Sequence, residues 1–158
     1  MHKQRGFSLI ELLIVVAIIL IIAAMAIPNL LRSKMTVNEA SAVTSLKTIN
    51  TACVEYDTLY GGFPQSLTAL GPVTSGGSVS SGAADLIDSV LSGGVKAGYV
   101  FTWTKGTVDA NGNVLTYGVT AQPVSPGTTG QRFFYTDQTG VVRVNPTGSA
   151  GSSSTPLG

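Results

Sequence analysis

Few residues in this chain have the type and spacing for chemistry. Among its 158 residues there is one histidine, His2, and one cysteine, Cys53, so neither a histidine acid–base pair nor a Cys/His zinc set can be assembled. A single cysteine forms no internal disulfide. Cys53 falls on the apolar face of a helical pattern, the setting of a buried structural thiol rather than a nucleophile. Asp109-Ala110-Asn111-Gly112-Asn113 opens like a calcium loop, but the glycine and glutamate that an EF-hand needs at its sixth and twelfth positions are Val114 and Thr120 here. A turn between strands is the better reading. Gly127-Thr128-Thr129-Gly130 lacks the lysine of a phosphate loop and also reads as a turn. What remains is a carboxylate, Glu11, at the head of twenty uncharged residues, 12–31. An ionised side chain costs about 2.5–3.5 kcal/mol at the centre of a bilayer, so a carboxylate in such a run needs a partner.

The run behind Glu11 is also the dominant structural element. As a helix it is long enough to cross a hydrocarbon core of roughly 30 Å, and Lys3, Arg5, Arg32 and Lys34 flank it. A cleaved secretory signal shares the basic start, but this run exceeds the usual apolar region and no small-residue cleavage site follows. Hydropathy alone describes a plain uncleaved anchor, and two basic residues on each flank leave its orientation open. Beyond the run, Val43, Leu46, Ile49, Cys53, Tyr56 and Tyr60 recur every three or four residues, opposite Glu39, Ser41, Thr44, Lys47 and Thr48. That spacing extends the helix to Tyr60, where Gly61-Gly62 and Pro64 stop it. Pro28 is expected to bend the helix or open one hydrogen bond.

After Phe63 the composition shifts to Gly, Ser, Thr and Val. The pattern predicts a short helical turn over 66–70 capped by Ser66, a loop over 71–83, a brief helix over 85–91, and strands over 98–104, 115–122, 132–137 and 141–144. Tyr99, Phe101 and Trp103 alternate with Val100, Thr102 and Thr104, which gives a sheet one buried face. The helix stripe supplies the cover. The fold class expected is α+β: a long N-terminal helix, membrane-spanning and then amphipathic, packed on a C-terminal antiparallel β head. Residues 145–158 are low in complexity and are expected to form a flexible tail.

Lys3-Gln4-Arg5-Gly6, the following Phe7-Ser8-Leu9-Ile10-Glu11-Leu12-Leu13-Ile14-Val15-Val16-Ala17-Ile18-Ile19, and Ala23-Ala24-Met25-Ala26-Ile27-Pro28 together resemble the type IV filament family, the type IV pilins and the pseudopilins of type II secretion. The resemblance covers about the first third of the chain. It implies that residues 1–6 are a leader cut after Gly6 by a prepilin peptidase, which also N-methylates Phe7. It makes Glu11 and Pro28 assembly residues, the carboxylate as a partner for the Phe7 amine of a neighbouring subunit and the proline as a flexible point. It divides the rest into a membrane-spanning assembly helix, 7–33, an amphipathic helix on the head, 34–60, a globular β head, 61–144, and the tail. Family members commonly carry glycine where this chain has Leu20, and many pilins close a carboxy-terminal loop with a cysteine pair that this chain lacks. Some pseudopilins hold calcium in the head, which keeps Asp109 and Asp137 as candidate ligands behind the turn reading.

Composition agrees with a self-assembling subunit. Hydrophobic residues make up 44% and charged residues 11%, and nine basic against eight acidic residues give a formal charge of +1. Near-neutral copies pack together without large self-repulsion, and nothing in the charge balance favours a nucleic acid. Losing Lys3 and Arg5 with the leader would leave seven basic residues against eight acidic ones, and His2 would leave with them. The expected function is therefore a structural subunit of a type IV pilus-like filament, not an enzyme and without a cofactor. Its partners would be further copies of itself, the lipid bilayer, the prepilin peptidase/methyltransferase, and an inner-membrane assembly platform with its ATPase. Before assembly it would span the bacterial inner membrane once with its amino terminus inside; afterwards it would lie in a cell-surface pilus or a periplasmic pseudopilus. Two other readings compete: a major pseudopilin of type II secretion, and a membrane-anchored monomeric binding module using Tyr99, Phe101, Trp103, Phe133, Phe134 and Tyr135.

Overall fold

The computed structural model describes residues 7–74 and 76–157, which form two compact units divided after Lys34. Helix α1 (Leu9–Tyr60) contributes to both. In the first unit its apolar side chains are exposed, Leu12 by 58%, Ile19 by 57% and Ile27 by 64%. The helix runs through Leu20 and Pro28 without interruption. Proline removes the N–H that would reach the Ala24 carbonyl, so its effect on the hydrogen-bond ladder is one missing bond. Beside it the polar side chains turn back onto the helix, Asn29 Nδ2 donating to the Met25 carbonyl at 3.1 Å and Ser33 Oγ to the Asn29 carbonyl at 3.0 Å. By length and composition, α1 can cross a membrane.

In the second unit, the later part of α1 meets a six-stranded antiparallel sheet whose spatial order follows the chain: β1 (Val95–Lys96), β2 (Tyr99–Lys105), β3 (Tyr117–Pro123), β4 (Phe133–Asp137), β5 (Arg143–Asn145) and β6 (Thr155–Pro156). The four strands legible in the sequence are the central ones. β1 and β6 add two-residue edges, short enough to offer little template for unwanted pairing. Register places Phe101 beside Ala121 and Ala121 beside Phe134. These residues join Tyr99 and Val119 in a core completed from α1 by Ala42, Leu46, Ile49, Cys53 and Tyr56. Tyr99 and Phe101 are buried while Val100 and Thr102 face out, as the alternation requires. Each large side chain so buried contributes about 1.5–3 kcal/mol.

Two segments differ from their sequence pattern. Asp85 has a left-handed φ of 57° and starts no helix. Instead the backbone of 84–87 hangs on the 3-10 turn Leu67–Leu70 and on Gly71: Ala84 N–H donates to the Ala69 carbonyl at 2.8 Å, Asp85 to Gly71 at 2.9 Å and Leu86 to Leu70 at 2.9 Å. This carries Ala84 and Ile87 into the core. The helix shrinks to α2 (Ser89–Ser92), with Asp88 as N-cap accepting the Leu91 N–H at 2.9 Å. The carboxy-terminal segment, expected to be a flexible tail, is paired. Val144 registers with Thr155, Leu157 N–H donates to the Val142 carbonyl at 2.8 Å, and Ala150 is buried. Backbone bonds and two apolar side chains hold a stretch whose Gly/Ser composition reads as loose. The Ser66 side chain does not cap; its hydroxyl pairs with that of Thr68 at 2.8 Å.

One polar clamp ties α1 to the loop between β3 and β4. Glu39, 7% exposed, accepts the amides of Gln131 and Arg132 on Oε1 at 2.8 and 3.1 Å, and the Arg132 Nε–H on Oε2 at 2.7 Å. Asn38 Nδ2 donates to the Thr129 carbonyl at 2.8 Å, and the Tyr99 hydroxyl to the Arg132 carbonyl at 2.8 Å. Gly130 is required because a Cβ there would overlap the Tyr99 hydroxyl. Burial pushes the Glu39 carboxyl up, but the Gln131 amide and the Arg132 side chain and amide outweigh it and hold the group below its ordinary value of 4.5. A lowered folded-state value gives stability that is fully present above 4.5 and lost as pH falls through the folded-state value. Glu39→Gln is therefore expected to cost about 1.5–3 kcal/mol near neutrality, and to flatten the acid limb of the melting temperature measured against pH. For the core, a soluble fragment beginning at Met35 should sediment as a monomer and unfold cooperatively in urea. Ile49→Ala in that fragment is expected to lower its unfolding free energy by about 2–5 kcal/mol.

Candidate assembly site

The carboxylate singled out by the sequence lies in the first turn of α1. Ser8 precedes the first helical residue, Leu9, and its backbone N–H donates to Glu11 Oε2 at 2.9 Å, while Leu12 N–H reaches the Ser8 carbonyl at 3.2 Å. This is the reciprocal arm of a capping box: a side chain at the third helical position satisfies a backbone donor at the cap. It also sets a negative charge at the positive end of the helix dipole. The pattern Ser-x-x-Glu before an apolar run, present at Ser8 and Glu11, is the sequence signal of such a box. Glu11 thus has a local partner on one oxygen. Among the described residues no ion pair involves it.

Phe7 begins the described chain and is 81% exposed. Gly6 and the rest of the leader lie outside the described residues, so the proposed cut has no geometry here. Pro28 sits within α1, and the neighbouring Ile27 and Leu30 are exposed. The elements around Glu11 accordingly present a continuous apolar surface with one carboxylate at its start and no other charge until Arg32.

The other candidates are tied to the head. Cys53 is fully buried; burial pushes its thiol up to about 12, with the Tyr117 hydroxyl opposing. That disfavours the thiolate a nucleophile needs. Asp109 is occupied by its own turn: Oδ1 accepts the amides of Asn111 and Asn113, both at 2.8 Å, and Oδ2 accepts Asn113 Nδ2 at 3.0 Å. Asp137 accepts the Thr139 amide at 3.0 Å and the Thr139 hydroxyl. Each carboxylate closes a local turn, and among the described residues no three His, Cys, Asp or Glu side chains gather as a metal set. Of the aromatic residues offered for a binding module, Tyr99, Phe101 and Phe134 are core. Trp103 stacks on Tyr117 at 4.8 Å with the rings 8° apart. Phe133 and Tyr135 are half-buried on β4. The strand alternation that reveals these rings also explains their burial.

Residues 1–27 match the model of the prokaryotic N-terminal methylation motif. The chain is 52% identical over 50 residues to the type IV major pilin protein PilA of Myxococcus xanthus, covering 32% of this chain and 23% of that protein. It is 37% identical over 73 residues to the type II secretion system core protein G of Vibrio cholerae, covering 44% and 50%. To the type IV wide pilus major component PilA4 of Thermus thermophilus it is 56% identical over 39 residues, covering 25% and 30%. These matches span half or less of each relative. No solved structure matches the chain significantly. With a methylation motif at its start, matches to pilins and secretion pseudopilins over its amino-terminal part, and a long amino-terminal helix followed by an antiparallel sheet, the chain is similar to the type IV pilins and pseudopilins.

Proposed function

We propose that this chain is the structural subunit of a type IV pilus-like filament and polymerises through the amino-terminal part of α1. The observation that carries the proposal is the exposed, uncharged surface of residues 12–31 headed by a single carboxylate. The precursor inserts in the inner membrane with its amino terminus inside. A prepilin peptidase cuts after Gly6 and methylates Phe7, and an assembly platform with its ATPase draws the mature chain out of the bilayer. Residues 7–33 then exchange lipid for the same residues of neighbouring copies, and residues 61–144 remain outside as the head. A secretion pseudopilus is the second reading, supported by the match to the Vibrio core protein G.

The capping box refines the role of Glu11. Oε2 stays on the Ser8 amide, leaving Oε1 for the ammonium of Phe7 on the next subunit. One carboxylate then closes its own helix and fixes the register of its neighbour. An unpaired charge in an apolar filament core costs several kcal/mol, so the pair forms where the register is right and not elsewhere.

Two measurements test this scheme. Replacing Gly6 by leucine should leave the precursor uncut in the membrane fraction, as read by mass spectrometry; a mature chain starting at Phe7 in that variant would remove the cleavage rule. Glu11→Gln keeps an acceptor for Ser8 and removes the charge. It should be inserted and cut normally yet be depleted in the sheared filament fraction by roughly tenfold or more, since 1.4 kcal/mol already corresponds to tenfold. Equal amounts of Glu11→Gln and wild type in the sheared fraction would leave Glu11 with the capping role alone.

A further inference from the structure

The chain's six asparagines differ in one respect. Asn29, Asn38, Asn50, Asn113 and Asn145 each donate the side-chain amide to an acceptor, the Met25 carbonyl, the Thr129 carbonyl, the Thr136 hydroxyl, Asp109 Oδ2 and the Ser149 carbonyl respectively. Among the described residues Asn111 alone has no such bond. It is also the one asparagine followed by glycine, and it is exposed at the tip of the turn closed by the Val108–Val114 bridge. Gly112 has a φ of 87°, and a Cβ there would meet nothing within 4 Å, so its backbone nitrogen is unshielded by a side chain.

We propose that Asn111-Gly112 is a site of spontaneous deamidation. The Gly112 backbone nitrogen, having lost its proton to hydroxide, attacks the Asn111 side-chain carbonyl carbon, Cγ. A ring N–C bond forms, the Cγ–Nδ2 bond breaks, and ammonia leaves with a proton from water. The resulting succinimide takes up one water at either of its two carbonyls and opens to aspartate or isoaspartate. No electrons are transferred, and water is the only co-reactant.

The turn itself restrains the reaction. Gly112 N–H donates to the Asp109 carbonyl at 3.1 Å, and the Asn111 backbone N–H donates to the Asp109 carboxylate at 2.8 Å. Attack requires that bond to open beside a negative charge that opposes the Gly112 anion, so Asp109 sets the pace. Deamidation adds a negative charge to a chain whose formal charge is +1. Isoaspartate also inserts a methylene into the backbone ahead of Gly112. The Gly112 carbonyl accepts Gln65 Nε2 at 3.2 Å, and Gln65 in turn accepts Lys105 Nζ at 3.1 Å, so the insertion displaces the contact that ties the exit of α1 to this hairpin.

Incubating the detergent-solubilised full chain in mildly alkaline buffer and mapping its peptides by mass spectrometry tests the proposal. Asn111 should convert first, into separately eluting aspartate and isoaspartate forms, while Asn113 in the same peptide stays an amide. Gly112→Ala should slow the conversion by roughly tenfold, the effect of about 1.4 kcal/mol on a barrier, and Asp109→Ala should accelerate it several-fold. Conversion of Asn113 before Asn111 would overturn the proposal, as would an unchanged rate in Gly112→Ala. Should Gly112→Ala fail to fold, Asp109→Ala and the comparison with Asn113 decide independently, a slower Asp109→Ala counting against it.

Discussion

An apolar helix surface that the chain itself does not cover is the constraint from which the rest follows. Residues 12–31 contain no charge and expose most of their side chains. Each leucine or isoleucine left in water forgoes about 1.5–3 kcal/mol of burial, so the stretch requires a bilayer or further apolar helices around it. Helical form makes both environments acceptable, because backbone donors and acceptors are satisfied within the segment. Pro28 relaxes that condition at one carbonyl, a small defect beside a continuous ladder.

Against this background two carboxylates of α1 solve opposite problems. At its start, Glu11 satisfies the Ser8 amide and complements the helix dipole, so the charge that is costly in an apolar setting has a structural use within its own helix. Farther along, Glu39 is buried and saturated, with two amides and a guanidinium on its two oxygens. A buried carboxylate so fully bonded fixes where the loop between β3 and β4 meets the helix, whereas an apolar contact there would tolerate slippage. The same charge type closes the helix start at one position and registers the head at the other, and the number of its bonds distinguishes them.

The head completes its sheet with small means. Two-residue edge strands finish both sides, and Gly130 makes room for the Tyr99 hydroxyl. Acidic side chains close turns, Asp109 beside Asn113 and Asp137 beside Thr139. Asp88 likewise caps α2, so these three carboxylates are each held by their own turn or helix start.

What the sequence determined by itself is whatever depends on near neighbours in the chain. The extent of α1, its stop at Gly61-Gly62, the uniqueness of Glu11 and the four central strands all follow from runs, periodicity and alternation, which are local properties. The capping box was equally legible in Ser8 and Glu11, three residues apart. Tertiary structure alone decided the rest. Glu39 reads as one more polar residue on the solvent side of a helix, because its partners Gln131 and Arg132 are 92 and 93 residues away. Asp85 leaves the helical pattern because carbonyls of the turn Leu67–Leu70 and of Gly71 bind the backbone around it. The carboxy-terminal residues become β6 through bonds to β5 and Val142 that glycine- and serine-rich composition does not encode. In each case the deciding energy comes from a contact distant in sequence, which no local pattern records.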